Sequence, residues 1–270
     1  MNITVRVALV FSLSMGLQVG MAWPQEAQGP VISTERPTVG YSPDLIPSGS
    51  LQVENGAGAS FQRNQYVVDV PETLLRVGLG DRAEVRYLFS DEVYQRSDTL
   101  RSHSFQTMDP ALSIKLRLGK PGRIYPRSAV MGLSFPRGGS TWTSGSYDPS
   151  VTGIWTQAVK KAYFINEIAG STLTTLAGAR RMSWAPSAAG GRSLSETVTG
   201  FAEYAPILLA NGSLEYILDG GFTVTLRRLN QLDIRTGYLS DTAGFHALFS
   251  IGYSIRRDGL FEPLSHLCYP

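Results

Sequence analysis

The sequence predicts an all-β fold, an antiparallel up-and-down transmembrane β-barrel of twelve strands, with ten as the competing count. Three observations lead there. An export leader opens the chain. No later stretch is apolar enough over eighteen residues to make a helical span. Apolar and polar residues alternate with a period of two from near residue 50 to residue 257, with no clear helical segment between. Only helices and closed barrels satisfy every backbone polar group in lipid. An exported chain of this kind is therefore either a barrel in a bacterial outer membrane or a soluble sheet protein.

The leader is read from its three parts. Arg6 and the free amine give a weakly positive start, Val7 to Gly20 is mostly apolar and uncharged, and Gly20-Met21-Ala22 offers the small residues of a cleavage site. Such a run is too short to favour a membrane anchor and matches a secretory signal peptide cleaved after Ala22. No cysteine follows the small residues, so no lipid-modified N-terminus is expected. The chain then divides into a signal peptide (1–22), an N-terminal periplasmic segment (23–48), the barrel (49–257) and a C-terminal tail (258–270).

Strand by strand, the alternation assigns faces. Over Arg82 to Phe89, Ala83, Val85, Tyr87 and Phe89 oppose Arg82, Glu84 and Arg86. Over Ala111 to Leu118, Leu112, Ile114, Leu116 and Leu118 oppose Ser113, Lys115 and Arg117. Leu232, Ile234, Thr236 and Tyr238 oppose Asp233, Arg235 and Gly237, and Phe245, Ala247, Phe249, Ile251, Tyr253 and Ile255 oppose His246, Ser250, Gly252, Ser254 and Arg256. In a soluble sandwich the apolar faces would have to meet. A membrane barrel turns them all outward and leaves charges of both signs in a wet lumen. Gly80-Asp81, Gly119 to Pro126, Lys160-Lys161 and Leu229-Asn230 read as short periplasmic turns. Ser90 to Met108, Arg137 to Pro149 and Pro206 to Ser213 read as longer outer loops. Six strands lie before Lys160 and four after residue 193, so residues 162–193 must leave and return. That adds two strands, although Ala162 to Trp184 alternates poorly.

Composition agrees and excludes much else. Charged residues are 17 % of the chain, below the roughly 25 % of an ordinary soluble domain, while 28 Gly, 12 Tyr and 11 Phe suit tight turns and an aromatic-rich outer surface. A net charge of +2 with no basic block argues against nucleic acid as a partner. The single cysteine, Cys268, has no internal partner, and His103, His246 and His266 are scattered, so neither a disulfide nor a metal site is expected. No Gly-x-Ser-x-Gly motif occurs and no nucleophile stands beside a base in sequence, so no enzyme activity and no cofactor are expected.

Several motifs lie on these strands in a fixed order. They are Ser33-Thr34-Glu35-Arg36-Pro37, Tyr41-Ser42-Pro43, Pro47 to Gly56, Leu75 to Arg86, Phe201-Ala202-Glu203-Tyr204, Asp219-Gly220-Gly221, Gln231-Leu232-Asp233 and Gly252 to Arg256. Over about residues 33 to 257 the chain resembles the MetA-pathway of phenol degradation family of outer-membrane, transporter-like barrels. The resemblance implies an outer-membrane barrel, some of whose relatives are associated with degradation of aromatic compounds, and it supplies no catalytic residue. Two features depart from it: Glu35 replaces the usual Asp before Arg-Pro, and Asp258 to Pro270 extend past the last strand.

Glu54, Arg76, Glu84, Arg86, Glu203 and Asp233 match the family motifs. With Lys115, Arg117 and Arg235 from the alternation, they are the expected lumen or constriction residues. Charged rings on a pore wall select permeants, yet paired charges can equally fill a small barrel. The expected function is a passive channel or transporter for small solutes, aromatic ones among them. The alternatives are a non-conducting structural or surface-binding barrel, its lumen blocked by side chains or by the N-terminal segment Trp23 to Pro47, and a soluble, lipocalin-like periplasmic carrier. Expected partners are outer-membrane lipid, a small-molecule solute and, during biogenesis, the barrel-assembly machinery.

Overall fold

Strand formation follows the alternation closely. The computed structural model describes residues 31–119, 126–159, 162–174 and 179–261. The expected leader, residues 120–125 of the expected turn from Gly119 to Pro126, Lys160-Lys161, His266 and Cys268 lie outside these. Fifteen strand segments occur: β1 (Leu51–Gln62), β2 (Gln65–Gly80), β3 (Ala83–Leu88), β4 (Glu92–Ser97), β5 (Ser102–Thr107), β6 (Ala111–Arg117), β7 (Ser128–Ser134), β8 (Asp148–Val159), β9 (Ala162–Thr174), β10 (Arg180–Trp184), β11 (Ser187–Ser193), β12 (Val198–Leu208), β13 (Leu214–Arg227), β14 (Asn230–Asp241) and β15 (Gly244–Arg257).

These segments make twelve staves, because β3 with β4, β5 with β6, and β10 with β11 each follow one path around the barrel. Every pairing is antiparallel between staves adjacent in the chain, and the sheet closes where β1 pairs with both β2 and β15. Ala185 and Pro186 break the stave between β10 and β11, since proline offers no N–H to the ladder. In β2 the register shifts opposite Gly56 and Gly58. The extra residue turns both Asp69 and Glu72 to the inside.

The interior inverts the usual order of a folded protein. Charged side chains are ordinarily the least buried. Here Arg76, Lys115, Glu54, Glu84 and Asp233 are wholly buried, whereas Phe222, Leu218, Val151, Tyr238 and Phe245 stand exposed on the outer face. Outward rings gather near strand ends, with Tyr87 edge-on to Phe89 at 4.7 Å and Phe135 edge-on to Tyr147 at 5.9 Å. The parity read from sequence is the parity observed.

Two local readings change. Ser90 to Met108 is no loop but the β4–β5 hairpin, which continues the wall beyond the alternating region. Both faces of β4 and β5 carry polar residues, so pairing persists where the period-two signal fades. The expected contrast between short and long connections is also weak. Arg63-Asn64 and Thr242-Ala243 turn the chain in two residues at the rim expected to bear long loops. Residues 135–147 form the longest described connection there. That loop folds back on the open edge of β5: Gly139 N–H donates to Thr107 O at 2.8 Å, and Asp109 Oδ1 accepts from Arg137 and Gly138 N–H. An edge that would otherwise invite pairing is thereby covered.

An arginine placed on the outer face at mid-strand meets lipid directly. Phe222→Arg should cost about 2–4 kcal/mol and Leu226→Arg, at the strand end, about 0–1, measured by urea unfolding of the protein in lipid vesicles.

Candidate functional site

Residues 31–50 run inside the barrel, where the sequence reading set a periplasmic segment and kept a lumen block by Trp23 to Pro47 as the alternative. The segment enters at the rim where β1 begins and β15 ends. There Ile32 N–H donates to Arg228 O at 2.9 Å and Arg256 donates to Val31 O. It leaves at the same rim, where Gly49 N–H donates to Gly78 O at 2.9 Å before β1 begins. A side chain at Gly78 would strike the Pro47 carbonyl, so the glycine opens the wall for this exit. Between these points the segment touches inward residues of β1, β2, β3, β6, β9, β12, β14 and β15. Only a chain within the lumen can reach all of them.

Two charge clusters hold it. In the first, Arg76 reaches three carboxylates: Glu84 at 2.9 Å, Glu54 at 3.0 Å and Glu35 of the segment at 3.3 Å. Lys115 donates to Glu35 at 2.6 Å and also to the Ser42 and Asp44 carbonyls. Arg86 lies 3.9 Å from Glu35 and Glu84, and its guanidinium stacks 4.3 Å above the Tyr41 ring. Three acids thus meet three bases in a site closed to water, and the segment supplies the third acid. Burial pushes the Glu35 carboxyl up, but Lys115, Arg86 and Arg76 outweigh it and hold the group at about 2, against 4.5 ordinarily.

In the second cluster the segment supplies the cation. Arg36 pairs with Glu72, donates to Ser250 Oγ at 2.7 Å and lies 3.4 Å from Asp233. Its guanidinium lies over Gly56 and Gly252, which face each other across β1 and β15; a methyl at either would overlap it.

Between the clusters, wall carboxylates grip the backbone of the segment. Glu203 accepts from Val39 and Gly40 N–H at 2.7 and 2.8 Å, Glu167 from Tyr41 N–H, Glu84 from Ile46 N–H at 2.8 Å, and Glu54 from Glu35 and Arg36 N–H. Each such bond satisfies a buried main-chain donor of the segment that water cannot reach.

Of the residues expected from sequence, Glu54, Arg76, Glu84, Arg86 and Lys115 come together in the first cluster. Asp233 belongs to the second, and Glu203 holds the backbone between them. Arg235 pairs with Asp219 at 3.6 Å. Arg117 stands apart, exposed at the end of β6. Sequence reasoning passed over Glu35, Arg36, Tyr41, Glu72 and Glu167. The Ser33 to Pro37 motif marked the first two, but nothing in its alternation placed them in a lumen. No metal-binding group of three or more His, Cys, Asp or Glu occurs among the described residues.

Comparison with known proteins agrees with this architecture. No protein-family model matches the chain, and no curated protein matches it significantly. Among solved structures it is similar to the COG4313 outer membrane channel from Pseudomonas putida F1. That match has 10 % identity over 79 % of this chain and 97 % of the other, with a TM-score of 0.59. It is also similar to the NanC porin, at 12 % identity over 75 % and 98 %, with a TM-score of 0.50. The chain therefore has the fold of an outer-membrane channel barrel.

Removing Arg76 leaves Glu54 and Glu84 buried without their cation. Arg76→Ala should destabilise the barrel by about 3–5 kcal/mol, read by denaturant unfolding. Glu35 offers a pH test. Its folded value lies below the unfolded one, so its contribution is present above pH 4.5 and is lost as pH falls towards about 2. The stability difference between the native chain and Glu35→Gln should be level above pH 4.5 and shrink below it.

Proposed function

We propose that the chain is a passive outer-membrane channel for small polar solutes, closed at rest by residues 31–50 of its own N-terminal region. One observation carries the reading. The wall is a complete barrel with an apolar exterior, while what fills the lumen is a tethered, irregular segment held by charges and hydrogen bonds. Such a plug can leave without dismantling the ladder of strands. Displacing it would uncover a path lined by Glu54, Arg76, Glu84, Arg86, Lys115, Glu203, Asp233 and Arg235. These would then form the charged constriction, and diffusion down a gradient would need no cofactor. Belonging to the same reading are export by the leader at 1–22, both chain ends in the periplasm, lipid around the wall, insertion by the barrel-assembly machinery, and membership of the MetA-pathway of phenol degradation family. A wall so charged supports a polar permeant. An aromatic one would pass only if it bears a polar group, since a bare ring gains nothing from these side chains.

The same filled lumen supports a second reading, a non-conducting structural or surface-binding barrel. Single-channel recording in planar bilayers separates the two. The intact protein should open rarely, and Arg36→Ala, which removes one anchor of the plug, should raise the open probability several-fold. Silence from both proteins would establish the non-conducting barrel. Recovery of the protein in the soluble periplasmic fraction of cells, rather than with the outer membrane, would refute both.

A further inference from the structure

The slot that holds Arg36 has the form of a ligand site already occupied by a stand-in. Its floor is the cross-strand pair Gly56 and Gly252, where any side chain would overlap the guanidinium. Its edges are the carboxylates of Glu72 and Asp233, the Ser250 hydroxyl at 2.7 Å and the Ile251 carbonyl at 3.4 Å. A flat, donor-only group fits between two glycines and is bordered only by acceptors. Among common biological groups a guanidinium meets both conditions.

Arg36 does not exhaust the slot. Asp233 is wholly buried and meets the slot's guanidinium only through Arg36 Nε, at 3.4 Å from Oδ1, which leaves Oδ2 without a hydrogen-bond partner among the described residues. Behind the slot the Asp69 carboxyl donates its proton to the Glu72 carboxylate, which leaves the charge of the pair on Glu72. Asp91, 7 % exposed and within electrostatic reach of both Glu72 and Arg36, has an unpartnered Oδ1. Glu54 adds its charge from β1. Arg235, the other cation nearby, is held by Asp219. One guanidinium therefore faces an excess of buried carboxylate, in a geometry that leaves acceptors unused. Nor is the slot sealed: the side chains of Arg36 and Glu72 are 14 % and 21 % exposed, so a solute in the lumen can reach it.

We propose that this slot is a binding site for solutes bearing a guanidinium group, and that Arg36 mimics such a solute to keep the lumen shut. A free guanidinium that takes the slot removes one of the two charge anchors of the plug. The binding stands on the slot alone; that binding opens a path rests on the channel reading above. Because Arg36 is tethered, its effective concentration is of millimolar order, and a free competitor must approach that level in the intact protein.

Titration calorimetry of the refolded full-length protein with ethylguanidinium chloride tests this. Arg36→Ala should bind the probe at least about tenfold more tightly than the native chain, because the tethered competitor is gone. Gly252→Ala in the Arg36→Ala background should lose the binding by filling the slot while leaving every charge in place. Glu72→Gln in the same background should weaken it about tenfold by removing a charged acceptor. Tetramethylammonium, a cation of similar size without donors, should not bind. Retained barrel mobility on unheated gels shows that each variant has folded. No binding to folded Arg36→Ala overturns the proposal, as does equal binding of tetramethylammonium or indifference to Gly252→Ala. Guanidinium binding to a barrel that never conducts would sink the channel reading and leave the site standing. Conductance without binding would do the reverse.

Discussion

Arg76 sits at the point where wall and plug become one structure. Its guanidinium is wholly buried and reaches Glu54, Glu84 and Glu35 at 2.9–3.3 Å. Two of those carboxylates belong to the wall and one to the segment within it. A buried cation of this kind is tolerated only when its partners are in place, since the cost of desolvating it is several kcal/mol before any pairing. With Lys115 and Arg86 beside it, the wall alone would hold three bases against two acids. Glu35 restores the balance. The lumen segment is therefore part of the electrostatics of the barrel and not an accessory laid into a finished pore.

The wall was legible because a membrane barrel writes its geometry in period two. Leu112 opposite Lys115, or Ile234 opposite Asp233, fixes which side meets lipid, and a single-residue slip would reverse every such pair. Twelve staves follow from chain ends that share a rim. The signal failed where its cause was absent. Along β4 and β5 both faces are polar, so Glu92 to Thr107 read as a loop although it pairs as a hairpin. Around Ser187 to Ser193 small residues lie on both faces, and alternation carries no contrast. The plug was legible only as an alternative, a lumen blocked by Trp23 to Pro47, and none of its contacts could be named. Its bonds run from Arg36 to Ser250 and from Val39 to Glu203, contacts between residues more than 150 positions apart that no local pattern encodes. The inward parity of Glu203 and Asp233 could be read; what they would hold could not.

The two modes of grip on the plug divide its residues into classes. Glu203, Glu167, Glu84 and Glu54 accept main-chain N–H groups, so at Val39 and Ile46 these bonds read the backbone, whereas Tyr41 is also held by its ring under Arg86 and Gly40 by the Ser187 hydroxyl that any side chain would strike. Only a residue without an N–H breaks such a contact. Glu35 and Arg36, by contrast, are held through their charges, one in each cluster. Recognition by charge thus resides in two adjacent residues of opposite sign, and the remaining contacts fix the path of the chain between them.

The path also sets a direction. Both ends of the segment are secured at one rim, through Ile32 to Arg228 and through Gly49 to Gly78, and its far end continues directly into β1. Retraction towards that rim lengthens no connection and leaves every stave pairing intact. Passage through the opposite rim would have to carry the chain past the β4–β5 hairpin and the loop at 135–147 while still joined to Ser50 and β1.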